Sequence, residues 1–174
     1  AAGEFFFVVN NDTVLTPHIL EKLLAPFAQN ERIAVTCPKI RFYDQPDRIQ
    51  YAGFNPMNRY TGRTTSIGLE EIDRGQHDRS RPTAGAHGCA MMIRRQALEK
   101  TGLFAEKFFL YYEEWDLSTR LREQGYIIWY AAEALIYHKE SITVGRNSPM
   151  QLYYLTRNRI LYMRRHSTAF QFMV

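Results

Sequence analysis

Residues 5–9, Phe-Phe-Phe-Val-Val, form an unbroken apolar run that stops at Asn10-Asn11-Asp12-Thr13, with Thr16-Pro17 close behind. A run that is apolar throughout, rather than alternating, reads as a strand covered on both faces inside an α/β sheet. Thr16 as N-cap and Pro17 as a first-turn residue then open a helix. Ile19, Leu20, Leu23, Leu24 and Phe27 recur with the helical period, which predicts a helix over 17–28. Ile33–Ile40 is a second apolar run. Strand, helix and strand at this spacing read as a parallel βαβ unit.

Further along, the pattern loosens and then resumes. Residues 44–84 hold Pro46, Gly53, Pro56, Gly62, Gly68, Gly75 and Pro82 among dispersed charges, with short strand signals at Gln50–Asn55 and Arg63–Ile67. This segment is expected to be a surface excursion containing a hairpin, because core-like runs return after it. Cys89–Arg94 is a strand signal, Gln96–Lys100 a short helix ending at Gly102, and 115–124 a helix closed by Gly125. Strands are predicted at Ile127–Ala131 and Leu135–Tyr137, followed by a basic, aromatic helix over 151–163.

Composition excludes several classes. With 174 residues, 45% hydrophobic and 23% charged, the chain can bury one sizeable core and is not disordered. No run approaches the roughly 18 apolar residues that span a bilayer. The first residues carry no basic stretch of a signal peptide. Two cysteines, Cys37 and Cys89, encode no disulfide framework, and reduced thiols in a cytosolic protein are the expectation. The net charge of +4 is uneven: from Lys139 onward six Lys/Arg face one acid, so that end carries +5. An anionic ligand or surface is expected there.

Three constellations could carry chemistry, and each has two readings from its residues alone. Asn10-Asn11-Asp12-Thr13 supplies oxygen ligands for Mg²⁺ or Mn²⁺ at a strand's C-terminal end, or is an Asx-turn ahead of a helix. Glu113-Glu114-Trp115-Asp116 is favourable charge at a helix start, or a general base raised by burial beside aromatic rings. His138 after "ALIY" is a structural histidine, or a ligand if its strand ends beside Asp12. Gly85 and Gly88 allow close approach of a ligand, or only of the chain itself. Arg157-Asn158-Arg159 could bind a diphosphate or form a solvated face, and the helix that carries them could lie on a membrane surface.

Taken in order, "FFFVVNNDTVLTP", "GAHGCAMMIRR", "GLFAEKFFLYYEEWDLSTRLREQGY", "IYHKES" and "YYLTRNRILY" resemble the family 2 glycosyltransferases of the GT-A fold, especially their rhamnosyltransferase-like branch. The resemblance covers nearly the whole chain and rests on the order of the motifs together. It implies a GT-A-type α/β fold: a mixed, mainly parallel sheet flanked by helices, forming one domain over 1–174 that holds the metal and acceptor portion. The excursion at 44–84 and a tail helix in 151–174 belong to it. The first nucleotide-binding βαβ units are expected to lie outside this chain.

Residue by residue, the resemblance implies Asp12 as principal metal ligand and His138 as the second, with Mg²⁺ or Mn²⁺ as cofactor. It places Asn10 by the ribose or the metal's water shell, Gly88 and Cys89 where donor and acceptor sugars meet, and Arg157 by the departing diphosphate. The base position falls on Glu114, where Glu replaces the family's Asp, so Glu113 and Asp116 stay candidates. The implied activity is inverting transfer of a sugar from a nucleoside-diphosphate sugar to a saccharide or lipid-linked hydroxyl acceptor, in bacterial cell-surface polysaccharide or glycolipid synthesis. The setting implied is cytoplasmic, at the inner face of the membrane, with self-association and without nucleic acid. A non-catalytic fragment or a carbohydrate- or nucleotide-binding module is the alternative.

Overall fold

The computed structural model describes residues 2–139 and 148–173; Glu140 and Arg146 of the basic tail therefore lie outside the described residues. Seven strands build one sheet: β1 (Phe5–Val9), β2 (Thr13–Leu15), β3 (Ile33–Phe42), β4 (Ile49–Tyr51), β5 (Arg81–Thr83), β6 (Ala90–Arg94) and β7 (Ile127–His138). The helices are α1 (Ile19–Gln29), α2 (Arg95–Thr101), α3 (Glu113–Glu123), α4 (Pro149–His166) and α5 (Ala169–Met173), with a 3₁₀ turn at Glu106–Phe108. The sheet runs β1-β6-β3-β7-β2, with β4 on β3 and β5 on β7.

The pairings correct two expectations. Among the described residues only β3 and β7 pair in parallel, and the other strand pairs are antiparallel, so the sheet is mixed but not mainly parallel in its hydrogen bonding. The predicted βαβ unit is split. β1 and β3 point the same way, but β6 lies between them and runs against both. Among the described residues β1 pairs with β6 alone, and Phe5–Val8 are half-buried rather than covered on both faces. The long strand in the core is β3, buried from Ile33 to Ile40 and half-buried at Arg41 and Phe42.

Apolar spacing explains the layers. Ile19, Leu23 and Phe27 lie one helical turn apart and seat α1 on β3 and β7. Its start differs from the prediction: Thr16 donates its hydroxyl to Leu135 O at 2.5 Å instead of capping, and His18, at φ 61°, precedes the helix. β2 was not foreseen, because three residues are too few to show a period.

One strand replaces the two predicted at 127–137. The register jumps from Pro38↔Ala131 to Lys39↔Leu135, so three residues of β7 bulge out beside Pro38, which has no N–H to give the ladder.

The excursion is anchored in two ways. Backbone bonds pair its two limbs, Ala52 with Ile67, Asn55 with Thr65 and Asn58 with Arg63. At its base, the buried Lys39 of β3 binds Asp73 at 3.0 Å and also Asp78, and Arg41 reaches Asp73 through Nε at 2.9 Å and Nη2 at 2.6 Å. Burial opposes the charge of Asp73. The Gly75 N–H, Arg41 and Lys39 outweigh it and hold the carboxyl at about 2.

Candidate active site

Antiparallel pairing of β2 with the end of β7 puts Thr13 opposite His138, and the Lys139 N–H donates to Asp12 O at 3.0 Å. The Asp12 turn is thereby fixed against the histidine: Oδ1 lies 3.2 Å from His138 Nε2. That carboxylate oxygen is buried and makes no hydrogen bond. The reason lies on the far side of the ring. Gln50 Oε1, from buried β4, is 2.9 Å from His138 Nδ1, and a carbonyl oxygen can only accept. Nδ1 therefore donates to Gln50, and Nε2 is the nitrogen left facing the carboxylate, with a lone pair when the imidazole is neutral. Two electron-rich atoms at this spacing are complementary to a cation.

From Asp12 the site continues across the sheet end. Asn10 N–H donates to Cys89 O at 2.9 Å, which sets the Asn10–Asp12 turn beside the loop before β6. Cys89 is buried and its thiol is held well above the usual range, chiefly by burial. Gly88 is the open position of this loop: a Cβ placed there would meet only Glu114, at 3.9 Å from its carboxyl carbon. Gly85 answers to packing, since a Cβ there would come within 2.8 Å of the Trp115 ring. Between them, His87 stacks on Phe54 with ring centroids 5.9 Å apart and lies 6.3 Å from the His138 ring. Burial, and then His138, push its imidazole down to about 3, so His87 is neutral at physiological pH.

Glu113 and Glu114 open α3 after Tyr112, which sits in the left-handed region at φ 70° and offers no side-chain cap. Each carboxylate has one buried oxygen, Oε2, without a hydrogen-bond partner. Burial, and then the neighbouring Glu113, push Glu114 up to about 8. Glu113 is also raised, by burial. Both carboxyls are raised, and Glu114, at about 8, is suited to accept a proton near neutrality.

The third acid of the cluster departs from its expectation as a base. Asp116 is fully buried, with Arg120 Nε at 2.9 Å, His166 Nε2 at 2.9 Å and Arg165 Nη1 at 3.1 Å. Burial opposes its charge, but the bonds from His166 and Arg120 prevail and hold it below the usual carboxylate range. It joins α3 to the end of α4. Arg157 is also otherwise engaged: Nη1 donates to Lys107 O at 3.0 Å and to Asn158 Oδ1 at 2.8 Å.

Sequence reasoning missed Gln50 and the structural part of Asn158. A glutamine inside the apolar "RIQYAG" was the available signal for the first. An asparagine in mid-helix, where it forms helix poorly, was the signal for the second. His138 also lines a cleft of about 380 Å³ together with Phe42, Tyr43, Asp44, Gln45, Arg48 and Glu70. Among the described residues no group of three or more His, Cys, Asp or Glu could hold a metal, and no helix is long and apolar enough to cross a membrane.

A mixed sheet between helices, with acids and histidine gathered at one end of its strands, defines a GT-A-type α/β domain. The model of the family described as "Glycosyltransferase like family 2" matches residues 1–159, and the chain belongs to that family. It is 26% identical over 161 residues to an N-acetylglucosaminyl-diphospho-decaprenol L-rhamnosyltransferase of Mycobacterium tuberculosis, covering 86% of this chain and 51% of that protein. It is 34% identical over 97 residues to the low-salt glycan biosynthesis hexosyltransferase Agl10 of Haloferax volcanii, covering 55% of this chain and 32% of the relative. The chain thus spans about half or less of the curated relatives it matches. Among solved structures, GalNAc-T7 with UDP, GalNAc and Mn²⁺ superposes with a TM-score of 0.63 at 14% identity, over 89% of this chain and 31% of that one. That likeness bears on the fold.

Proposed function

We propose that this chain carries the metal and acceptor side of a glycosyltransferase that moves a sugar, with inversion, from a nucleoside-diphosphate sugar to a hydroxyl of a saccharide or lipid-linked acceptor. The observation that carries the reading is the Asp12 Oδ1 and His138 Nε2 pair, 3.2 Å apart and not hydrogen-bonded, with Gln50 holding the imidazole proton on the opposite side. Asp12 and His138 suit Mg²⁺ or Mn²⁺, and two protein ligands leave the remaining positions to diphosphate oxygens and water. When bound, the cation supplies charge neutralisation for the departing diphosphate.

The chain's own residues do the rest. Glu114, unpaired and raised, accepts the proton of the attacking hydroxyl, and Glu113 keeps its affinity for that proton high. Gly88 leaves room for the acceptor against Glu114, while Cys89 and Asn10 hold the two loops together. Arg157 serves as a loop brace rather than a diphosphate ligand in this reading, and Asp116 as a link to α4. The leaving group is an anion and needs no protonation, so a single base suffices, unlike the paired carboxylates of glycoside hydrolysis. The relative named for L-rhamnosyl transfer to N-acetylglucosaminyl-diphospho-decaprenol favours a lipid-linked saccharide acceptor, and a cell-surface glycan built at the cytoplasmic face of a membrane fits that reading. Exposed Leu152, Tyr153 and Ile160 of α4 suit that surface, and the open edge of β1 suits self-association.

Titration calorimetry with Mn²⁺ and UDP-, dTDP- and GDP-sugars tests the reading. Metal-dependent heat with at least one donor is expected, lost in Asp12→Ala and His138→Ala and kept in Glu114→Gln. Undiminished heat in Asp12→Ala would overturn the metal assignment.

A further inference from the structure

The loop leading into the two unpaired glutamates is held from a distant helix. Within four residues, Phe109, Tyr111 and Tyr112 have φ of 61°, 65° and 70°, a region that side chains other than glycine's avoid. Tyr112 is the residue immediately before α3, so the direction in which Glu113 and Glu114 leave the loop is set by this backbone. No side chain caps the helix there. What meets the loop instead is Asn158 of α4, which is fully buried. Its amide nitrogen lies 2.7 Å from Phe108 O, 2.7 Å from Leu110 O and 2.9 Å from Tyr111 O. Its carbonyl oxygen accepts from Arg157 Nη1, which also donates to Lys107 O, so one side of α4 grips the loop from 107 to 111.

We propose that Asn158 is a positioning residue for Glu114, keeping the carboxylate turned into the site by fixing the positive-φ backbone at Phe109, Tyr111 and Tyr112. The inference rests on Glu114 being the proton acceptor proposed above. Only an amide does this: its two protons face three carbonyls, whereas a carboxylate of the same shape would face them with lone pairs. A loosened loop lets Glu114 swing toward solvent, where its charged form is stabilised and its proton is more easily lost.

The test is a titration of the chain carrying ¹³C-carboxyl-labelled glutamate, without metal, using Glu114→Gln to assign the Glu114 signal. In Asn158→Asp, and to a smaller degree in Asn158→Ser, the Glu114 midpoint should fall by a unit or more from about 8. Hydrogen exchange at the amides of residues 111–114 should rise at least tenfold. Tyr162→Phe is the control. It removes the hydroxyl bond from α4 to Thr119 and keeps the ring that packs on Tyr112, so it should leave the midpoint in place. If Asn158→Asp fails to fold, Asn158→Ser decides. An unchanged midpoint in a folded Asn158 variant, or an equal shift in Tyr162→Phe, would overturn the proposal. Transfer retained by Glu114→Gln would remove the base assignment and leave the titration result standing, so the two failures are separable.

Discussion

Replacing Glu114 by glutamine should make the protein more stable while removing its proton acceptor. The carboxyl is raised from an ordinary 4.5 to about 8 by burial and by Glu113. A group whose proton is held more tightly in the folded state favours folding at low pH. That advantage is intact below the unfolded value near 4.5 and disappears as pH rises through about 8. At about 1.36 kcal/mol per unit, holding this site at pH 7 costs roughly 3 kcal/mol relative to a residue that does not ionise. Glu113 and Glu114 share the site, so part of that cost belongs to the pair, and about 2–3 kcal/mol is expected. Glutamine keeps the shape, and the buried oxygen it replaces has no hydrogen bond to lose. Urea unfolding of both proteins at pH 4.5, 7 and 9 measures the difference. It should be near zero at pH 4.5, about 2–3 kcal/mol in favour of the variant at pH 7, and about 1 kcal/mol larger at pH 9. A variant no more stable than the parent at pH 7 and 9 would refute the claim that this carboxylate is buried against its own charge.

Two further outcomes are expected. Asp73→Asn should cost stability at neutral pH but progressively less below pH 4, because the native carboxyl at about 2 lends stability that is lost as pH falls from about 4 through 2. With water reaching the cluster past the exposed Asp78, the pH-dependent part should be about 1–2 kcal/mol, read as the gap between the two urea midpoints from pH 5 to pH 2. Gln50→Leu should weaken Mn²⁺ binding by about 10–100-fold in calorimetry without changing the fold, since the second partner of His138 sets its proton.

What the sequence disclosed depended on the range over which each signal acts. α1, α3 and α4 were legible because each side chain repeats its message every turn, and Gly102 marks a stop. The place of β1 was not. A run of phenylalanine and valine says that rings need cover, but not which strand supplies it, and β6 inserts between β1 and β3 by contacts more than 80 residues apart in the chain on the β1 side and more than 50 on the β3 side. Asp12 and His138 were candidates from their motifs, yet their grouping depends on β2, a three-residue strand without a detectable period. Asp116 stood as an alternative to Glu114 in the motif. Helical rotation separates them by about 200°, so one turns to the site and the other to α4. Gln50 and Asn158 each act through one amide group, visible in the sequence only as a polar residue where an apolar one or a better helix former was due.

The environment of Asp116 bears on the basic C-terminal region. Counting formal charge makes residues beyond 138 a strongly positive surface. Arg165 and His166 instead turn inward to a carboxylate with no solvent exposure, and Arg157 spends an Nη1 proton on a backbone carbonyl. The field that an approaching anion or lipid headgroup encounters is therefore weaker than the count implies, and part of what looks like an electrostatic lure acts as an internal hinge pin between α3 and α4.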